Sequence, residues 1–325
     1  MPERMPKVLR MEGFSTLTPS SLPPTSLILC SRNRPKPLFD CVQSILQGED
    51  LPTELCIIDQ SDAQHPKLAA LKINRACEIR YLWTRSVGLG RARNAGIAAA
   101  RHDILAFTDD DVVVPSTWFG SLTRALVRAG SRAVVTGRVL PTVPEMPGGF
   151  APSTKIEEAP AVYEGRVGKD VLWGNNMAIY RSAIASIGGF DECLGAGSRF
   201  PSSEDNDLGF RLLEEGYRII YVPEAMLYHR AWRSKQDHVS LGWSYGRGQG
   251  AYYAKYLSMR DRYMLRRMIW DIMHHVRRFP GRVWRQPYRA CGDAVYVFAL
   301  ASGGIEWLLT QRRSGDISPG SPQHD

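Results

Sequence analysis

The chain has 325 residues, 44% of them hydrophobic, and a formal charge of +8, which suits one large domain or a domain with an appendage around a sizeable core. Six cysteines without a single C-x-x-C pair exclude a zinc ribbon and a disulfide frame, and read as reduced core residues of a cytoplasmic protein. "MPERMPKVLRMEGF" lacks the apolar centre of a secretory signal, and no run of about 18 uncharged apolar residues offers a membrane span.

In chain order, residues 1–24 are rich in Pro and Ser and are expected to be a flexible tail. "TSLILCSRN" reads as a buried strand. "PLFDCVQSILQG" follows with Leu38, Cys41, Val42, Ile45 and Leu46 on one helical face. "ELCIIDQSD" and "IRYLWT" are strands, "GRARNAGIAAARHD" is a helix, and "ILAFTDDD" is a fourth strand. Strand and helix therefore alternate from 26 to 111, which predicts a parallel sheet covered by helices. Ligands bind such sheets beyond the carboxyl ends of the strands. Ser31, Arg32, Asp59 and Asp109–Asp111 all fall at such ends and should gather on one edge.

"SLTRALVRAG" is a helix, "AVVTGRVL" a strand, and 141–170 a long loop rich in Pro, Gly and charge. "VLWGNNMAIYR" resumes a strand, "SAIASIGGF" and "SSEDNDLGFRLLEEGY" are helices, and "YRIIYVPEA" is the last strand. From Arg230 to Arg313 there are 16 Lys and Arg against 5 Asp and Glu. That basic region reads as mostly helical from about 255 to 310. It suits an anionic surface or ligand, or simply a solvated face.

Several groups can carry chemistry. Three adjacent carboxylates at a cleft edge must either protonate or recruit a cation, and hard oxygen ligands favour Mg²⁺ or Mn²⁺; the competing reading is a solvated acidic turn. Asp59 can accept from a base or a ribose hydroxyl, or close its strand as an Asx-turn. Gly88-x-Gly90-x-x-Arg93 lacks the third glycine of a dinucleotide fingerprint. It still opens a helix, so Arg91 and Arg93 can face phosphates or merely cap the turn. Glu204 and Asp205 open a helix whose dipole favours their ionised form. Either can serve as a general base, or decorate a first turn capped by Ser203. His229 is a metal ligand, a phosphate donor or a structural histidine. "YGRGQGAYYAKY" is a flexible lid, or a helix start with a packed tyrosine face.

The order of these motifs is more specific than any one of them. "LILCSRNRP", "CIIDQSD", "VGLGRARNAGI", "ILAFTDDDV", "WGNNMAIYRSAIASIGGFDECL" and "EDNDLGFRLLEEGYRIIYVPEAMLYH" together resemble the family 2 glycosyltransferases of GT-A fold over about residues 25 to 230. The resemblance implies an α/β, Rossmann-like, mostly parallel sheet over 25–232. To this are added a basic, mostly helical region over 233–313 and a flexible tail over 314–325. It implies transfer from a nucleotide-diphosphate sugar, a UDP-sugar first, to a glycan or lipid-linked hydroxyl, with inversion. Asp205 matches the catalytic base, and Glu204 stands beside it on the acceptor side. Asp109 and Asp111 match the D-x-D pair that holds Mn²⁺ or Mg²⁺, with His229 near the metal. Donor contacts fall to Ser31, Arg32, Asp59, Arg93, Asp109 and Asp110. Gly189, Phe190 and Asp191 match a "GGFDE" segment on the acceptor side. Trp173, Asn175 and Asn176 are expected to line that side too, because amides suit sugar hydroxyls and an aromatic face suits a sugar ring.

Two departures stand out. "DQSD" replaces the usual "DDGS" after the second strand, and the 141–170 loop has no familiar motif. A nucleotidyltransferase would want a glycine-rich loop with a lysine after the first strand, where this chain has "CSRNRPKP". A non-catalytic sugar-nucleotide-binding protein would keep Asp59 and the metal pair without needing Asp205. "YMLRRMIWDIMHHVRRF" alternates apolar and basic residues as a helix lying on an anionic membrane would. The expected place is therefore the cytoplasm and the inner membrane face, with no nucleic acid as partner.

Overall fold

The computed structural model describes residues 21–74 and 76–315. The tails expected at 1–24 and 314–325 lie for the most part outside the described residues. The chain divides into two units. One runs to Glu192 and resumes over Glu204–Arg233; the other comprises Cys193–Ser203 and the chain from Ser234. The sequence assigns 193–203 to the first domain, whereas Leu194 and Phe200 pack with Ala251, Ala254 and Trp307 of the second unit.

The first unit begins with β1 (Thr25–Ser31), α1 (Pro35–Leu46), β2 (Glu54–Asp59), α2 (Pro66–Ala70), β3 (Ile73–Asn74), β4 (Cys77–Trp83), α3 (Leu89–Ala99) and β5 (Ile104–Asp109). β1 and β2 are buried along their whole length, as strands covered by helices on both faces must be. α1 buries the five residues its spacing predicts and presents them to one of the two layers beside the sheet. β6 (Val112–Val113), α4 (Trp118–Ala129), β7 (Ala133–Pro141), β8 (Ala161–Tyr163), β9 (Asn176–Tyr180), α5 (Arg181–Ile187), α6 (Glu204–Glu214) and β10 (Arg218–His229) follow. The strand order is β3-β4-β2-β1-β5-β9-β7-β10-β6, with β8 on β10.

The parallel reading holds for β1, β2, β4 and β5. It fails at β9, which runs antiparallel to both β5 and β7. No helix carries the chain from β7 to β9. It wanders through residues 142–175, so nothing forces a parallel return. The strand expected from Val171 starts only at Asn176, and the last strand runs on to His229.

β10 carries an irregularity with a chemical cost. Val222 pairs with Gly137, but Met226 pairs with the next residue, Arg138, so Pro223, Glu224 and Ala225 bulge out. Pro223 has no N–H to offer the ladder. The freed Ala225 carbonyl is buried and needs a donor. Asn176 Nδ2 supplies it at 2.8 Å and also reaches Arg138 O at 3.0 Å, while Trp118 Nε1 donates to Asn176 Oδ1 at 2.9 Å. Asn176 is thus fully buried structure, not the acceptor-side contact its sequence neighbourhood suggests.

The second unit holds α7 (Asp237–Ser258), α8 (Arg262–Val283) and α9 (Pro287–Gly315). The "YGRGQG" glycines lie in the middle of α7 and form no lid. Gly242, Gly246 and Gly250 recur every fourth residue against Gly292, Tyr296 and Leu300 of α9, so the two helices run parallel in close contact. A methyl group built on Gly250 would lie 2.0 Å from Leu300 O. Gly250→Ala should therefore cost about 1–3 kcal/mol of unfolding free energy by overpacking. Gly281→Ala, within α8 and with no atom within 4 Å of its added methyl, should stabilise by up to about 1 kcal/mol. Urea unfolding of both variants checks the contrast, and equal effects would refute the close-packing account.

Candidate active site

Register brings the strand-end residues together. Ser31 pairs with Asp59 and Cys30 with Asp109, so the carboxyl ends of β1, β2 and β5 share one edge of the sheet. The chain turns out of the sheet at Asp110 and Asp111, and β6 returns against the end of β10, with His229 opposite Val112.

Each acid meets a different environment. Asp109 Oδ1 accepts from Arg93 Nη2 at 3.1 Å. Asp110 is buried and accepts from Ser31 Oγ at 2.6 Å and Arg34 Nη1 at 3.2 Å. Burial, then the charge of Asp111, pushes its carboxyl up to about 7. Asp111 accepts from the same Arg34 nitrogen at 2.6 Å and meets His229 Nε2 at 3.1 Å. Burial alone would raise Asp111, but the His229 hydrogen bond and charge and the Arg34 guanidinium outweigh it and hold the carboxyl far below the ordinary range. For His229, burial favours the neutral ring; the Asp111 contact prevails and raises it.

The helix side is anchored by Arg93, only 2% exposed, whose Nη1 donates to Glu204 Oε1 at 2.9 Å. Its guanidinium lies 5.1 Å over the Phe190 ring. Arg93 therefore ties the end of β5 to the start of α6. The sequence reading aims it at donor phosphates, whereas both its recorded ion pairs are internal. Beside it, Asp205 stays partly open to solvent. Its Oδ2 accepts from Gly174 N at 3.2 Å, and its carboxyl is pushed up by burial and then by the charge of Glu204. Five carboxylates thus face two guanidinium groups and one imidazole, and the cluster remains short of positive charge.

The other expected residues divide. Asn175 is buried, and its Oδ1 has no hydrogen-bond partner among the described residues. Trp173 packs partly on the core, with Lys155 Nζ 5.1 Å over its ring. Asp59 is buried and accepts from Ser61 N at 2.9 Å and from the Ser61 and Tyr81 hydroxyls, so it closes its strand as an Asx-turn. Arg32 is exposed. The residue missed is Arg34, two positions on in the same β1–α1 loop and the guanidinium that reaches Asp110 and Asp111. The signal available was its place immediately before the helix.

A divalent ion finds a partial ligand set. Among the described residues, no three of His, Cys, Asp and Glu form a metal-binding group. Asp109 turns to Arg93, leaving Asp111 with His229, whose Nδ1 is buried without a partner. Mg²⁺ is commonly held by one or two carboxylates with substrate phosphates completing its shell, and the Asp111 carboxylate fits such a set, with the His229 imidazole beside it.

Residues 26–184 match the family described as Glycosyl transferase family 2. A pre-mycofactocin glycosyltransferase of Mycobacterium tuberculosis (strain ATCC 25618 / H37Rv) is 31% identical over 182 residues, covering 52% of this chain and 36% of that one. The N-acetylglucosaminyl-diphospho-decaprenol L-rhamnosyltransferase of the same strain is 27% identical over 233 residues, covering 61% and 73%. The chain therefore spans little more than a third of the first relative. A mannosyltransferase, PcManGT from Pyrobaculum calidifontis in complex with GDP-Man and Mn²⁺, superposes with TM-score 0.55 at 16% identity over 93% of this chain and 82% of that one. S. aureus TarS 1–349 in complex with UDP gives 0.51 at 13% identity over 93% and 95%. At these identities the likeness is one of fold, the GT-A fold.

The Asp111–His229 pair makes stability depend on pH. His229 is raised, so its contribution is complete below about pH 6.5 and is lost as pH climbs through the folded value. Asp111 is depressed, so its contribution is present above the ordinary aspartate value and fades only as pH falls through the folded one. With chelator present, His229→Asn should lower unfolding free energy by about 1.5–3 kcal/mol near pH 6. The difference should shrink in alkali, and a difference that stays flat into alkali would refute the coupling.

Proposed function

We propose, from the match of residues 26–184 to glycosyl transferase family 2, that this chain moves a sugar from a nucleotide-diphosphate sugar to an acceptor hydroxyl. The observation that carries the reading is the pairing at one sheet edge of an acid set suited to a cation and diphosphate with a separate, partly open aspartate suited to be a base. Asp205 removes the proton from the acceptor hydroxyl. The acceptor oxygen then bonds to the anomeric carbon in line as the bond from that carbon to the diphosphate oxygen breaks. A single in-line displacement of this kind inverts the anomeric carbon. Asp205, raised by burial and by Glu204, sits closer to working pH than an ordinary aspartate, which favours general-base catalysis.

Asp111 and His229 are the residues that would hold Mn²⁺ or Mg²⁺, and the ion supplies neutralisation of charge growing on the departing diphosphate. The Mn²⁺ named with the mannosyltransferase supports a metal here. Arg34, now on Asp110 and Asp111, is free to turn toward phosphate oxygens once those acids are neutralised. Asn175 Oδ1, buried and unpaired, is placed to accept from a sugar hydroxyl. A UDP-sugar is the first donor to test, in keeping with the UDP bound by a structural neighbour. The acceptor is a glycan or lipid-linked hydroxyl, supported by the decaprenol-linked substrate in one relative's name. The reaction takes place in the cytoplasm.

The test is a screen of nucleotide sugars for thermal stabilisation and hydrolysis with Mn²⁺ or Mg²⁺. Stabilisation by none of them counts against the reading. Asp205→Asn should keep the donor's stabilising effect and lose about 10²–10⁴-fold in transfer rate. Wild-type kcat/KM should rise with pH through a value above the ordinary carboxylate range. An active Asp205→Asn protein would remove the base from its role.

A further inference from the structure

The second unit carries a surface that the transfer reaction does not use. α8 has two faces. Met264 and Arg267 turn inward, and Arg267 donates to Tyr252 OH at 3.1 Å. Leu265, Ile269, Met273, Val276 and Phe279 lie outward in steps of four and three residues, the repeat of one helical stripe, and all are exposed. Trp270 flanks the stripe at 56% exposure, and Trp284, just past the helix, is 90% exposed. So large an exposed apolar strip on one helix marks an interaction surface.

Its charge tells what it meets. From Arg260 to Asp293 seven arginines are exposed: 260, 262, 266, 277, 278, 285 and 289. The three acids of that stretch are all drawn inward. Asp261 caps α8 by accepting from Tyr263 N at 2.8 Å. Asp271 accepts from Tyr296 OH at 2.7 Å and Tyr253 OH at 3.2 Å. Asp293 is buried and holds His275 Nδ1 at 2.9 Å and Arg282. The outer face therefore presents apolar and cationic groups and no exposed acid.

We propose that the outer face of α8 and the segment to Arg289 dock on an anionic lipid bilayer. Acyl chains take the aliphatic stripe, headgroup phosphates take the arginines, and Trp270 and Trp284 sit at the boundary between them. A nucleic acid would meet the arginines but leave the stripe without a partner. A second copy would cover the stripe but oppose seven arginines to seven. No described helix is long and apolar enough to cross a membrane, and the attachment proposed is to the surface of one leaflet. This inference does not rest on the proposed transfer reaction.

The experiment is co-sedimentation of the full chain with vesicles of phosphatidylcholine alone or with 30% phosphatidylglycerol. Binding is expected to the mixed vesicles at low salt, at least ten-fold stronger than to the neutral ones, and to weaken as salt rises. The Arg266→Glu/Arg277→Glu protein should lose ten-fold or more, as should Ile269→Ser/Trp284→Ser, with melting temperature and donor-induced stabilisation unchanged. Two independent pairs of exposed residues guard against misfolding of either. No binding to mixed vesicles, equal binding to both kinds, or full binding by both variants overturns the proposal. So does a stable dimer, or capture of an RNA oligomer, without vesicle binding.

Discussion

The site depends on one buried cation. Arg93 lies beneath the edge of the sheet with a carboxylate on either side, Asp109 from the end of β5 and Glu204 from the start of α6. A charge so buried survives only if paired on good geometry, and removing either partner would leave the other uncompensated. The arginine therefore fixes two segments, one 16 residues along the chain at Asp109 and one 111 residues along at Glu204. Once β5 and α6 are joined in this way, Asp205, the next residue of α6, has little freedom in where it stands. The neighbouring Ser203 adopts φ of +73°, a left-handed conformation that a side chain adopts at a cost.

The acids of the site are sorted by their surroundings rather than by their type. Asp111, between His229 and Arg34, stays ionised; Asp110, buried, and Asp205, partly buried, each beside like charges, are pushed upward. Separation of this kind gives similar carboxyls different tasks. Glu54 shows the contrast at the opposite ends of the strands. It is fully buried, yet Ser26, Arg80 and Arg101 donate to it, and these contacts outweigh burial and hold it near 2. A carboxylate so completely satisfied is built to stay as it is. Asp205, with fewer donors and some access to solvent, can still take up a proton.

Much of this was legible in the chain. Apolar runs closed by polar residues located β1, β2 and β5, and the alternation with helices placed their acids on one edge. What the sequence hid were partnerships. "GRARN" shows an arginine at a helix start, but not that its guanidinium turns under the sheet to an acid far along the chain. Asn175 and Asn176 look alike as neighbours. Only the bulge in β10 decides that one is fixed by carbonyls and an indole while the other keeps an unpaired oxygen. The glycines of "YGRGQG" read locally as flexibility. The spacing of four between Gly246 and Gly250 acquires its meaning only when a second helix, some fifty residues on, lies against them.

The bulge in β10 also acts as a reading frame. Were Pro223, Glu224 and Ala225 paired in the ladder instead of bulged out, Met226 would stand opposite Pro141, where His229 stands now. With three residues still bulged out, losing one there would bring up Arg230, and gaining one would bring up Tyr228. A side chain more than ten ångströms of strand away from the irregularity, at about 3.3 Å per residue, is thus chosen by counting, not by contact. Ala225 is itself packed into the core, so the segment is held by its contacts as well as by its length.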